Sequence, residues 1–216
     1  MSVWVVVVAA GGGRRFGAPK QFAQIGGRAM VQWALDAARS VADGVVLVLP
    51  PGDVGEDAAP RGPTAGADVV VAGGETRAAS VRAGLAVVPA AADVIVVHDG
   101  ARPLASPALF RAVVDVVRGG ADAAVPGLAV ADTLKRVVGD TVTATVGRDD
   151  LVAVQTPQAF RAAVLRHAHD GASEATDDAA LVESLGATVR VVPGDPRNIK
   201  VTTVADLEVA QALATS

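Results

Sequence analysis

The chain has 216 residues, 51% of them hydrophobic, and a formal net charge of −4. That length suits one domain with a sizeable core, and the negative balance argues against a nucleic-acid-binding surface. The absence of cysteine excludes a disulfide framework, a thiol nucleophile and a zinc–thiolate cluster.

The first apolar run, residues 3–10, reads as a fully buried parallel strand. It is too short to span a membrane and lacks a basic leader, so neither anchor nor signal peptide is expected, and a cytoplasmic location is. It runs into Gly11-Gly12-Gly13-Arg14-Arg15, with Lys20 soon after. Glycines at a strand's end let backbone N–H groups approach an anion, and the cations add charge where a polyphosphate would lie. A dinucleotide fingerprint fails, because its third glycine position holds Phe16 and the second strand ends in Pro50-Pro51 without a carboxylate. No Gly-Lys-Ser/Thr follows, so a Walker A loop fails too. A glycine-rich turn with solvated arginines stays open as the plainer reading.

Helical spacing of Met30, Trp33, Ala34, Ala37, Ala38 and Val41 predicts a helix closed by Gly44, then a strand over 45–49. Residues 50–67, rich in Pro, Gly and Asp, read as a surface excursion. A short strand at 69–71 precedes a helix marked by Ala78, Val81, Leu85 and Val88. A buried strand over 94–97 ends in His98-Asp99. Ser106-Pro107 predicts an N-cap and first helical residue, before a helix presenting Leu109, Phe110, Val113, Val114 and Val117; a strand over 121–125 follows. Alternating strands and helices argue for a doubly wound, mostly parallel sheet, with ligands beyond the carboxyl ends of its strands, where Gly11 and Asp99 both fall.

The alternation breaks after residue 128. Residues 133–138 and 141–146 flank Gly139-Asp140, which predicts a hairpin with one dry face. An isolated hairpin is marginal in water, so it packs either on its own domain or on a neighbouring subunit. Helices near 160–169 and 177–185, a strand over 189–192, a second over 199–202 and a helix from Ala205 complete the chain. His167 and His169, at a polar helix end, read as solvated.

Several polar clusters remain. Asp99 at a strand's end beside a phosphate loop suits Mg²⁺, although a turn-capping aspartate would look the same. Gln155-Thr156-Pro157-Gln158 is polar between apolar segments, and Pro157 keeps it out of a helix. Thr176-Asp177-Asp178 reads as an N-cap with acidic first-turn residues, and Lys200, taken alone, as a solvated lysine.

Together these clusters resemble the 2-C-methyl-D-erythritol 4-phosphate cytidylyltransferase family over nearly the whole length. The resemblance rests on Ala9-Ala10-Gly11-x-Gly13-x-Arg15, Pro19-Lys20-Gln21, Gly73-Gly74 with Arg77 and Ser80-Val81, and His98-Asp99-x-Ala101-Arg102-Pro103. It continues through Asp132-Thr133-Leu134-Lys135, Thr156-Pro157-Gln158, Thr176-Asp177-Asp178 and Asn198-Ile199-Lys200-Val201-Thr202. It implies a single domain over 1–216 with a Rossmann-like nucleotidyltransferase sheet and a protruding hairpin arm at about 130–148. It also implies transfer of a cytidylyl group from CTP to 2-C-methyl-D-erythritol 4-phosphate with release of pyrophosphate, with Mg²⁺ or another divalent cation, in a homodimer.

By the resemblance, Arg15, Lys20 and Lys200 are catalytic, Asp99 holds the metal, and Ala9, Ala10, Gly11 and Gly13 line the nucleotide. Gly74 and Ser80 read the cytosine edge. Arg102, Thr156, Thr176 and Lys200 face the sugar phosphate; Thr133 and Arg148, also substrate-binding, sit on or beside the hairpin that reaches across a dimer interface, so that Arg148 serves the partner's site. Two departures concern fine geometry: Gly100 where the family usually has alanine, adding backbone freedom, and Glu75 where it often has aspartate. The remaining alternatives are a relative acting on ribitol 5-phosphate, a nicotinamide dehydrogenase and a non-catalytic nucleotide-binding module.

Overall fold

Six residues of consecutive apolar character make β1 (Val3–Val8), the centre of the molecule. The structure, a computed structural model, describes residues 1–11, 20–55, 62, 64–171 and 175–215. Positions 12–19, with Gly13 and Arg15, therefore lie outside the described residues, as do parts of the 50–67 excursion.

A small antiparallel pair, β2 (Gln24–Ile25) and β3 (Arg28–Ala29), leads into α1 (Met30–Arg39). Gly26 and Gly27 have φ of +56° and +77°, the left-handed pair that a two-residue hairpin turn favours. Then come β4 (Gly44–Leu49), β5 (Val69–Ala72), α2 (Arg77–Val87), β6 (Val94–Asp99), α3 (Pro107–Arg118) and β7 (Ala123–Ala129). The hairpin is β8 (Leu134–Val138) and β9 (Thr141–Val146). Two short strands, β10 (Val152–Val154) and β11 (Gln158–Arg161), precede α4 (Ala162–His169), α5 (Asp178–Ser184), β12 (Val189–Pro193) and α6 (Val204–Ala214).

The sheet runs β5-β4-β1-β6-β11-β7, with β10 and β12 both pairing with β7. Pairs β1–β4, β1–β6, β4–β5 and β7–β12 are parallel, while β10 and β11 are antiparallel to their neighbours. Period two along β1 sends Val3, Val5 and Val7 into one core with α1 and α3, and Val6 into the other with α2 and α4. The doubly wound sheet expected from the sequence is present. No described helix is long and apolar enough to cross a membrane.

Some expectations need correcting. Gly44 does not close α1; Ser40 caps it, and Gly44 opens β4, where a Cβ would lie 2.4 Å from the Trp4 ring. Residues 199–202 form no strand; Val201 is held by its N–H donating to Ala101 O at 2.8 Å. His169 is buried, its Nε2 3.0 Å from Asp178 Oδ1, while His167 lies at the surface as expected.

The hairpin does not pack on its own domain. Val137 and Val142, cross-strand partners on one face, are both more than half exposed, so that face is uncovered within one chain. Ser106 caps α3 as predicted, its Oγ accepting from Leu109 N at 3.2 Å above Pro107. Ser106→Ala is expected to cost about 1 kcal/mol in urea unfolding, the usual value of such a cap.

Candidate active site

Parallel strands deliver side chains to one edge of the sheet. At the carboxyl end of β1, Ala9, Ala10 and Gly11 line a cleft together with Lys20, Gly74 and Ser80. A second lobe is lined by Arg102, Thr156, Thr176 and Gln158. Asp99, Arg77 and Lys200 line both lobes and form the ridge between them. Lys20 and Lys200, far apart in the chain, thus converge on one cleft.

Lys20 begins a short 3-10 turn, Lys20–Phe22, and its Nζ donates to Val201 O at 3.3 Å. Gln21 pins that turn, its Nε2 donating to Asp53 Oδ2 at 2.8 Å from a buried position. At the edge of the first lobe, a Cβ on Gly73 would lie 2.5 Å from Ala10 Cβ, and one on Gly74 2.5 Å from Ala79 Cβ. Only glycine fits those approaches. Ser80 Oγ accepts from Gly74 N at 3.2 Å and donates to Thr76 O at 2.9 Å, so it shapes the Gly74 turn. Glu75 is exposed on the rim of the same lobe.

Asp99 ends β6 and is buried. Its Oδ2 accepts from Lys200 Nζ at 2.6 Å and its Oδ1 from Arg77 Nε at 3.2 Å. Burial alone would raise its pKa, but the two cations hold it well below the usual carboxylate range. Arg77 is likewise held firmly cationic: burial opposes its charge, and Asp178 and Asp99 more than offset that. The Gly100 N–H donates to Val8 O at 2.9 Å, and a Cβ there would press on Ala9 Cβ at 3.0 Å.

Behind Asp99, His98 is fully buried and pushed down to about 4 by that burial, hence neutral. Its Nε2 faces Arg102 O at 3.1 Å and its Nδ1 faces Thr156 Oγ1 at 3.2 Å, which fits the Nε2-protonated tautomer. Thr156 Oγ1 also accepts from Asp99 N at 3.0 Å, so this hydroxyl orients the carboxylate's backbone.

Lys200 and Arg102 are placed by a clamp that the sequence reading missed. Gln155 Nε2 donates to Asp195 O at 2.9 Å, and buried Asn198 Nδ2 donates to Thr156 O at 2.9 Å. Arg102 Nη1 donates to Asn198 O at 2.8 Å. The polarity of Gln155 and Gln158 was the visible signal. Arg77 and Asp178 were also missed as site residues; a cation in the first turn of α2 opposes the helix dipole and so demands a local carboxylate.

Thr133 and Arg148 line neither lobe of their own chain. Arg148 Nη1 donates to the carbonyls of Val130 and Ala131 at the base of the hairpin. Among the described residues no three His, Cys, Asp or Glu side chains cluster as a preformed metal cage. Asp99, ionised between the two lobes, has the chemistry to help hold a hard cation such as Mg²⁺, which takes few protein ligands beside phosphate oxygens.

A family model described as IspD: 2-C-methyl-D-erythritol 4-phosphate cytidylyltransferase matches residues 3–216. A curated relative of that name from Nocardia farcinica is 46% identical over 217 residues, covering 98% of this chain and 94% of the relative. The bifunctional enzyme IspD/IspF of Solidesulfovibrio magneticus is 42% identical over 231 residues, covering 99% of this chain. The chain spans 58% of that relative's length and 53% of a second bifunctional one. A crystal structure of 2-C-methyl-D-erythritol 4-phosphate cytidylyltransferase from Thermus thermophilus matches with a TM-score of 0.83 at 39% identity, covering 100% of this chain and 99% of that one. With the motifs in order, a cleft that gathers Gly11, Lys20, Gly74, Asp99, Thr156, Thr176 and Lys200, and a family match over residues 3–216, the chain belongs to the 2-C-methyl-D-erythritol 4-phosphate cytidylyltransferase family.

Proposed function

We propose that the protein transfers the cytidylyl group of CTP to 2-C-methyl-D-erythritol 4-phosphate in the cytoplasm, releasing pyrophosphate. A phosphate oxygen of the acceptor forms a bond to the α-phosphorus. The bond from that phosphorus to the α,β-bridging oxygen breaks, and its electrons leave with pyrophosphate. The single observation that carries this reading is the convergence of Lys20, Lys200, Arg77 and Arg102 around Asp99, between a glycine-lined lobe and a hydroxyl-lined one.

The acceptor is a phosphate monoester with a second pKa of ~6, already dianionic at neutral pH, so no general base is needed. His98 supplies none, being buried and neutral. The obstacle is repulsion between two anions, which preorganised cations relieve as charge builds on the equatorial oxygens. Lys20, with Arg15 from outside the described residues, serves the triphosphate side; Arg102 and Lys200 serve the acceptor phosphate. Asp99 would hold Mg²⁺, which supplies charge neutralisation on the triphosphate.

The uncovered hairpin face, with Val137 and Val142, supports a homodimer through the 130–148 arm that carries Thr133 and Arg148 to the partner's acceptor lobe. The test is pyrophosphate release with CTP, Mg²⁺ and 2-C-methyl-D-erythritol 4-phosphate. Turnover is expected with this acceptor, more slowly with ribitol 5-phosphate, and none is expected after EDTA treatment. No release with any polyol phosphate, or unchanged turnover in EDTA, would overturn the reading or its metal.

A further inference from the structure

The two cations on Asp99 are built differently. The Lys200 side chain is 43% exposed, and the bond from its Nζ to Asp99 is its charged contact. Arg77 is 26% exposed and doubly anchored, by Nε to Asp99 and by Nη1 to Asp178 Oδ2 at 2.7 Å. Asp178 is itself 1% exposed and backed by His169, so α4 and α5 together brace the guanidinium. Arg77 Nη2 is buried without a hydrogen-bond partner.

Lys200 cannot serve a substrate phosphate fully while its ammonium is spent on Asp99. When it leaves, the Asp99 side chain loses one of the two ion pairs that fix its orientation and would swing unless held elsewhere. Arg77 is the group that prevents this. Its planar fork spans carboxylates from two different elements, which the point charge of lysine does not reproduce. We propose that Arg77 is a positioning residue for cytidylyl transfer: braced by Asp178, it holds the Asp99 side chain in place while Lys200 turns to the acceptor phosphate.

This rests on the cytidylyltransferase reading. Without Arg77, Asp99 has Lys200 as its remaining partner, so the amine is retained and the acceptor is bound less well. The nucleotide lobe's glycine contacts are untouched. A purely structural role would instead lower the active fraction and leave both KM values unchanged.

The experiment compares wild type, Arg77→Lys, Arg77→Met and Asp178→Asn by steady-state kinetics with CTP and 2-C-methyl-D-erythritol 4-phosphate, alongside thermal melts. Arg77→Met is expected to lose at least tenfold in kcat and to raise the acceptor's KM at least threefold, with the KM for CTP within twofold. Arg77→Lys should recover only part of the loss. A folded Arg77→Met with kcat within threefold of wild type, or a loss with both KM values unchanged, would overturn the proposal. Should Arg77→Met fail to fold, Asp178→Asn decides: the same KM split supports the brace and unchanged kinetics refute it. Wild type inactive with this pair would sink the cytidylyltransferase reading and Arg77's role with it.

Discussion

Lys20→Ala is expected to lower kcat by two to three orders of magnitude while the fold stays intact. The side chain projects from the Lys20–Phe22 turn into the lobe lined by Ala9, Ala10 and Gly11, with Nζ near Val201 and hence near the Lys200 backbone. A preorganised charge aimed at an oxyanion is worth roughly 3–4 kcal/mol of barrier, because water cannot replace it without reorganising. The turn itself is secured elsewhere, by Gln21 on Asp53 and by Ala23 N donating to Lys20 O at 3.0 Å, so truncation removes charge and little structure. Steady-state pyrophosphate release with far-UV circular dichroism reads both effects. A well-folded variant keeping more than a third of wild-type turnover would take Lys20 out of the mechanism.

The sheet and its helices were legible because their signals are local and redundant. Val3–Val8 and Gly44–Leu49 are near-continuous apolar runs, and Ser106-Pro107 marks the start of α3 by its own chemistry. The strands β10 and β11 were not legible, being three and four residues long and tied to β7 and β6 by tertiary pairing rather than by pattern. Residues 199–202 show the opposite error: an extended, apolar-looking segment whose backbone is used to hold Lys200 instead of joining the sheet. Within the site, Asp99 and Lys200 could be picked out as charges at element ends. That they touch, and that Arg77 joins them to Asp178 across α2 and α5, is a long-range fact with no short-range trace. His169 was misread for the same reason, since its buried partner lies on the next helix.

Phe110→Ala should be the most destabilising of the single changes considered, at about 3–5 kcal/mol, because it removes a large ring and leaves a cavity that neighbours fill only in part. Phe110 is fully buried on α3 in the core shared with Val5, Val7, Val94 and Val96. Its ring lies 4.9 Å from that of His98, centroid to centroid, tilted by 56°. The cavity would therefore open directly behind the residue that, with Thr156, fixes the backbone of Asp99. Against a typical total of about 5–15 kcal/mol, such a loss brings the unfolded state within reach of moderate warming. Phe110→Leu keeps much of the volume and should cost far less, with turnover near wild type. Urea unfolding at neutral pH measures both; a loss below about 1 kcal/mol for the alanine variant would mean the site collapses readily and that Phe110 does not support the floor of the cleft.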